Sequence, residues 1–238
     1  MTHRRMGYQS MKNPPLQNIQ ACVFDAYGTL FDYASAASRC RDALGDKFDR
    51  LTVLWREKQL QYTWLRAIQG AHADFWQVTG DALEFAMDSL ELKDVQLRDR
   101  LMAMYLELEI FPEVTATLTR LKASGYKTAI LSNGSPSMLR AIVGHNGIDG
   151  LLDGVFSVEE AGIYKPHPKT YALAGERLGL DRRAILFVSA NAWDAFAASA
   201  FGMRVVWCNR YRQRPEKLPG NPDFEVQSLA ELPGIVDA

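Results

Sequence analysis

The chain has 238 residues, 47% of them hydrophobic, enough to bury the core of one large domain or of a domain and a smaller companion. A formal net charge of −1, with both signs mixed along the sequence, gives no long-range field that would draw it to nucleic acid or anionic lipid. Small neutral or singly charged partners fit that balance better, and no window approaches the length of a membrane span.

Residues 1–17, MTHRRMGYQSMKNPPLQ, are basic and polar without an apolar h-region, and read as a mobile tail. IQACVF (Ile19–Phe24) is the first of several short apolar runs that end abruptly in polar residues. It reads as a strand buried on both faces. Cys22 lies in it; with Cys40 and Cys208 it makes an odd set without C-x-x-C spacing, which points to reduced, buried thiols and the cytoplasm.

The next interval, roughly Asp32 to Phe111, contains no strand-like run. DRLTVLWREKQLQYTWLRAIQ places Leu51, Leu54, Trp55, Lys58, Tyr62 and Leu65 at three-and-four spacing, predicting one long amphipathic helix with these residues on its face. Further helices are expected over Asp74–Leu90 and Asp94–Leu108. An all-helical cap over residues 33–111 is the consequence, interrupting a core made of 18–32 and 112–238.

Beyond the insert, PEVTATLTRLKASG (Pro112–Gly125) reads as a crossover helix and KTAILS (Lys127–Ser132) as a strand. GVFSV (Gly154–Val158), AILFVSA (Ala184–Ala190) and RVVWCN (Arg204–Asn209) continue the strands, with a second helix over PKTYALAGERLGL (Pro168–Leu180). A polar loop, YRQRPEKLPGNPD, precedes a last strand and helix. Strand-helix-strand repetition predicts an α/β fold with a doubly wound, Rossmann-like parallel sheet. Ligands of such sheets bind beyond the carboxyl ends of the strands, where a cap inserted after strand one hangs.

The polar residues at those ends are the candidates for chemistry. They are Asp25 after the first strand, Ser132 and Asn133 after the second, Lys165 in AGIYKPHP, and Ser189, Asn191 and Asp194 after AILFV. A carboxylate, a hydroxyl-amide corner and an ammonium then meet at one rim.

The motifs FDAYGTL (Phe24–Leu30), LSNG (Leu131–Gly134), YKP (Tyr164–Pro166) and SANAWD (Ser189–Asp194), in this order on strand ends, resemble the haloacid dehalogenase superfamily. With WREKQLQYTWLR (Trp55–Arg66), the chain is similar to the L-2-haloacid dehalogenases within it. The resemblance implies a cofactor-free, metal-free homodimer acting on short L-2-haloalkanoic acids. It gives Asp25 as the nucleophile that displaces halide from C2 with inversion, followed by attack of water on the resulting ester. Arg56 would stabilise the departing halide, Thr29 would position Asp25, and Ser132 with the turn amides would hold the substrate carboxylate. Ser189, Asn191 and Asp194 would fix Lys165 and the water. Tyr27, Leu60, Phe75 and Trp193 match an apolar wall around the alkyl group, and Tyr171 a polar neighbour of the site.

Most superfamily members are Mg²⁺ phosphatases, and a phosphatase needs a second acid two places after the nucleophile to protonate a poor leaving group. That place is Tyr27 here. Ser189-Ala190 stands where such enzymes offer Gly-Asp to the metal. A Mg²⁺-dependent phosphatase and a non-catalytic carboxylate- or halide-binding protein are the alternatives. Glu57 stands where the relatives carry Gln, and could neutralise Arg56, repel halide or point to solvent.

Overall fold

The computed structural model describes residues 16–236. In chain order it runs β1 (Ala21–Phe24), α1 (Ala34–Ser38), α2 (Arg41–Leu44), α3 (Phe48–Gln69), α4 (Phe75–Ser89) and α5 (Val95–Met104). Next come α6 (Val114–Ala123), β2 (Lys127–Ser132), α7 (Pro136–His145), β3 (Gly154–Ser157) and α8 (Pro168–Leu178). The chain closes with β4 (Ile185–Ser189), α9 (Ala192–Phe201), β5 (Arg204–Cys208), β6 (Phe224–Val226) and α10 (Pro233–Val236).

The six strands form one sheet in the order β3-β2-β1-β4-β5-β6, with every pair parallel. The chain winds outward from β1 to β3, then returns to β4 on β1's other side. The crevice at the carboxyl ends of β1 and β4 is therefore the topological switch point. β1 and β4 are buried at every position, as contiguous apolar runs between two helical layers must be. β3 departs from the expectation of burial on both faces. It is the sheet edge, and Val155 is exposed there.

Asp74 and Asp94 begin α4 and α5 as N-caps, each side chain accepting from a backbone N–H three residues on at 2.9 Å. α5 stops at Met104, short of the expected Leu108, and the chain turns back toward the core. There Asp32 N–H donates to Glu109 O at 2.8 Å and Phe111 N–H to Leu30 O at 3.0 Å. The outgoing and returning connections between helical insert and sheet thus lie side by side.

The buried ridge of α3 is Phe48, Leu51, Trp55, Gln59 and Thr63. This corrects the expected face: Leu51 and Trp55 belong to it, while Leu54, Lys58 and Tyr62 are half-buried and Leu65 is exposed. The ridge packs on α4, where the Trp55 indole Nε1 donates to Thr79 O at 2.9 Å. A fully buried Leu such as Leu51 contributes about 1.5–3 kcal/mol, and Gln59 and Thr63 meet polar partners instead.

The expected tail mostly lies outside the described residues. Leu16, at its end, is buried and its N–H donates to Ile235 O at 3.0 Å. Cys22, Cys40 and Cys208 are buried thiols. Among the described residues no helix is long and apolar enough to cross a membrane.

Candidate active site

Asp25 follows β1 directly, and its backbone N–H donates to Val188 O at 2.9 Å, extending the β1-β4 ladder one step into the crevice. The side chain leaves the sheet rim with two well-separated sets of donors. Oδ2 accepts from Thr29 Oγ1 at 3.1 Å and from Asn191 Nδ2 at 2.8 Å, while Oδ1 accepts from Lys165 Nζ at 3.2 Å. Thr29 is itself fixed, its oxygen accepting the Ala190 N–H at 2.8 Å.

Lys165 is 1% exposed and its ammonium lies between two carboxylates, donating also to Asp194 Oδ2 at 3.0 Å. Its Nζ rests 4.8 Å from the centre of the Phe187 ring. Its backbone N–H donates to Asn133 Oδ1 at 3.0 Å, which ties the lysine loop to the end of β2. Burial pushes the Asp194 carboxyl up, and the Lys165 ammonium and a 2.6 Å hydrogen bond from the Tyr171 hydroxyl pull against it. Burial likewise pushes the Tyr171 phenol well up, so it remains a donor.

Arg56 comes from α3. Its Nη2 donates to Asn191 Oδ1 at 3.2 Å and its Nη1 to Gln59 Oε1 at 2.8 Å, with the guanidinium 5.0 Å from the Tyr33 ring centre. Asn191 therefore joins Asp25 to Arg56 and does not reach Lys165, which corrects part of its expected task. Ser189 Oγ accepts the Asn191 N–H at 3.2 Å and supports the turn. Glu57 is exposed; of its three readings, the structure bears out the one in which it points to solvent.

At the end of β2, the buried Ser132 Oγ accepts the Gly134 N–H at 3.1 Å, a bond that does not use its own proton. The N-cap of α7 is Ser135, not Ser132 or Asn133, and Pro136 opens the helix. The Ser157 hydroxyl donates to Gly134 O at 2.7 Å and holds the corner in place. A Cβ on Gly134 would lie 2.8 Å from the Tyr27 hydroxyl oxygen, so only glycine lets the two segments approach.

Tyr27 and Phe75 are buried with ring centres 5.5 Å apart. The Tyr27 hydroxyl has no hydrogen-bond partner among the described residues. Trp193 is half-buried, edge-on to Trp64 of α3 at 5.4 Å, and Leu60 is half-buried. An apolar groove of about 720 Å³ runs outside this pair, lined by Trp64, Ile68, Tyr164, Tyr171, Trp193 and Phe201. It borders the charged cluster through Tyr171 and does not include Asp25. Beside Arg56, Tyr33, Gln59 and Tyr105 leave a crevice of about 10 Å³, roughly one water.

Phosphatases of this fold imply Mg²⁺, which needs hard oxygen ligands with free lone pairs. Here the Lys165 ammonium fills the gap between Asp25 and Asp194, and the Asn191 amide spans Asp25 Oδ2 and, at 3.0 Å, Tyr27 O. N–H donors stand where a cation would have to coordinate, so these residues do not fit Mg²⁺. What they form is a buried carboxylate paired with the Lys165 ammonium on one oxygen and linked through the Asn191 amide to the Arg56 guanidinium on the other.

A doubly wound sheet with a helical insert after β1 and an aspartate at that strand's end is the arrangement of a haloacid dehalogenase-like hydrolase, and the model of that family matches residues 19–202. The chain is 44% identical to (S)-2-haloacid dehalogenase 4A of Burkholderia cepacia, over 91% of its own length and 94% of the relative's. It is 46% identical to the (S)-2-haloacid dehalogenase of Pseudomonas sp. strain YL, over 89% and 91% of the two chains. The structure of L-2-haloacid dehalogenase from Xanthobacter autotrophicus with chloropropionic acid covalently bound superposes with a TM-score of 0.87 at 37% identity, covering 92% of this chain and 99% of that one. The chain belongs to the haloacid dehalogenase-like hydrolases and, within them, to the (S)-2-haloacid dehalogenases.

Sequence reasoning missed Gln59, Tyr33 and Tyr105, which surround Arg56, Thr79 behind Gln59, and the Phe187 ring under Lys165. Gln59 lies inside a quoted motif, but a polar residue on a helix carries no periodic signal of burial.

Proposed function

We propose that the chain hydrolyses short L-2-haloalkanoic acids to D-2-hydroxy acids and halide, with Asp25 as the nucleophile. The observation that carries this reading is the Asp25 carboxylate, buried, ordered by Thr29 and Asn191, and paired with Lys165. A carboxylate so shielded from water attacks carbon readily. Its oxygen forms a bond to C2 as the carbon-halogen bond breaks, and the halide leaves with the electron pair. Inversion at C2 follows from attack opposite the leaving group.

Arg56 lies on the cap side of the cluster, where its charge stabilises the departing halide. Ser132 offers its hydroxyl proton to the substrate carboxylate, and Asn133 fixes the lysine loop beside it. Tyr27, Leu60, Phe75 and Trp193 form the wall for the alkyl group. In the second half-reaction water adds to the ester carbonyl of Asp25, the carbonyl-oxygen bond breaks, and the hydroxy acid leaves with its oxygen supplied by Asp25. Ser189 and the Lys165–Asp194 pair hold that water, with Tyr171 fixing Asp194. Splitting one displacement into two steps is the logic of covalent catalysis.

Halide departs as a stable anion and needs no protonating acid, so Tyr27 two places after Asp25 is no handicap to this reaction. The same tyrosine disfavours the phosphatase reading, as does the poor fit to Mg²⁺. A non-catalytic binding protein would not need a buried carboxylate paired with an ammonium and tied through Asn191 to Arg56.

The cap is assigned to residues 33–111 and the core to 18–32 and 112–238, supported by the paired connections at Asp32 and Phe111. Asp25 is 6% exposed, so entry of substrate requires the cap to open. The enzyme is placed in the cytoplasm as a homodimer, supported by its buried thiols and by the family resemblance.

The test is halide release from racemic 2-chloropropionate in excess EDTA. Complete conversion of the L form, with D-chloropropionate left over, is expected. Activity that disappears with the chelator, or turnover of p-nitrophenyl phosphate only when Mg²⁺ is added, refutes the reading.

A further inference from the structure

The cap holds a buried hydrogen-bonded amide for which the proposed reaction has no direct use. Gln59 is 1% exposed and sits one turn beyond Arg56 on the same face of α3. Its Oε1 accepts from Arg56 Nη1 at 2.8 Å and from the Tyr105 hydroxyl at 3.2 Å. Its Nε2 donates to Thr79 Oγ1 at 2.8 Å and to the Tyr105 oxygen at 3.0 Å. The two Tyr105 contacts share one hydroxyl at the edge of the amide and are alternatives, so the amide's fixed partners are Arg56 on its oxygen and Thr79 on its nitrogen.

The chain of donors has one consistent direction. Thr79 commits its proton to Phe75 O, one turn back on α4, at 2.6 Å, so its oxygen can only accept from Gln59. That turns Nε2 toward Thr79 and leaves Oε1 facing the guanidinium. The opposite rotamer would set oxygen against oxygen at Thr79 and N–H against N–H at Arg56. Burial pushes the Tyr105 phenol up, which keeps it a donor beside the amide.

We propose that Gln59 is the positioning residue of Arg56, a fixed acceptor through which α4 and α5 hold the guanidinium in its halide-stabilising orientation. This rests on the reading of Arg56 given above. The contact to Asn191 crosses from cap to core and is lost whenever the cap opens. The contact to Gln59 lies within α3 and survives opening. The arginine is thus already aimed when the cap closes, and the ordering of a long flexible side chain does not have to accompany each turnover.

The experiment is single-turnover halide release from L-2-chloro- and L-2-bromopropionate by the full-length enzyme and by Gln59→Met, Arg56→Ala and the double variant. Gln59→Met removes a charge-assisted hydrogen bond and should slow chloride release about 10- to 100-fold. Bromide, the better leaving group, should suffer less, and KM should stay within about threefold because uniform binding is untouched. In the Arg56→Ala background the same change should add little. Thr79→Val, which keeps Gln59 but deprives Nε2 of its acceptor, should reproduce the chloride-selective loss in weaker form and serves if Gln59→Met does not fold. Equal losses for both halides, or losses that add to those of Arg56→Ala, make Gln59 a packing residue only and overturn the proposal. Full activity of Arg56→Ala alone would instead overturn the reading of Arg56 beneath it.

Discussion

The Asn191 amide donates to Asp25 Oδ2 at 2.8 Å while its carbonyl oxygen accepts from Arg56 at 3.2 Å. One side chain thus orients both the carboxylate proposed as nucleophile and the cation proposed to face the leaving group. Asn191→Asp keeps the shape but sets a second carboxylate against Asp25. Loss of a hydrogen bond to a charged group, plus like-charge repulsion, should lower kcat/KM for 2-chloropropionate by at least about 100-fold. Steady-state kinetics on a variant with native circular dichroism checks this; a loss below tenfold would contradict it.

Lys165 separates two buried carboxylates, with Asp194 fully buried and Asp25 nearly so. Removing one member of a buried charged pair leaves the others uncompensated, at a cost of about 3–5 kcal/mol. Lys165→Met should lose stability on this scale in urea denaturation and lose activity. Adding Asp194→Asn should restore part of the stability without restoring turnover, because one of the opposed charges is gone while the cation at Asp25 is still missing. A Lys165→Met protein as stable as the parent would rule out the charge arrangement described.

Gly134 touches the Tyr27 ring and hydroxyl, and an added methyl would lie 2.8–2.9 Å from Tyr27 and Leu139. Both neighbours are buried and cannot swing away. Gly134→Ala should cost about 1–3 kcal/mol by overpacking. Tyr27→Phe should not rescue it, since a ring carbon is as close as the hydroxyl oxygen. Chemical denaturation of the single and double variants decides the point.

Burial pushes the Cys208 thiol up to about 11. An unfolded thiol titrates near about 8.5. Between these values the folded state keeps the proton and the unfolded state has released it, so rising pH favours unfolding. The stabilisation is fully present below about pH 8.5 and falls away by about 3 kcal/mol as pH rises to about 11. Urea midpoints measured across that window should fall more steeply for the parent than for Cys208→Ala. Parallel slopes would show that the thiol does not titrate in this range.

The rim of the sheet was legible because parallel strands buried on both faces must be continuous apolar runs. Each abrupt end therefore marks a crevice residue, as at Asp25 and Ser189. The order of strands was not in those runs, and nothing in GVFS announces the exposed edge at Val155. The face of α3 was misread for a related reason. Apolar spacing singled out Leu54, Tyr62 and Leu65, but the buried ridge runs through Thr63, whose hydroxyl donates to Leu60 O of its own helix, and Gln59, whose amide meets Thr79 and Tyr105 on other elements. The partners of Gln59 are distant in sequence, so no local pattern reveals them. Glu57 resolved simply, since one residue along a helix turns the side chain by about 100° away from Arg56.

The covalent role of Asp25 is tested most directly by a single turnover of L-2-chloropropionate in heavy-oxygen water, followed by mass analysis of the Asp25 peptide and the lactate formed. Attack of water on the ester carbonyl predicts one heavy oxygen in the Asp25 carboxylate and none in the lactate hydroxyl. Heavy oxygen in the lactate hydroxyl, with an unlabelled Asp25, would mean that water attacks C2 directly and would contradict the account.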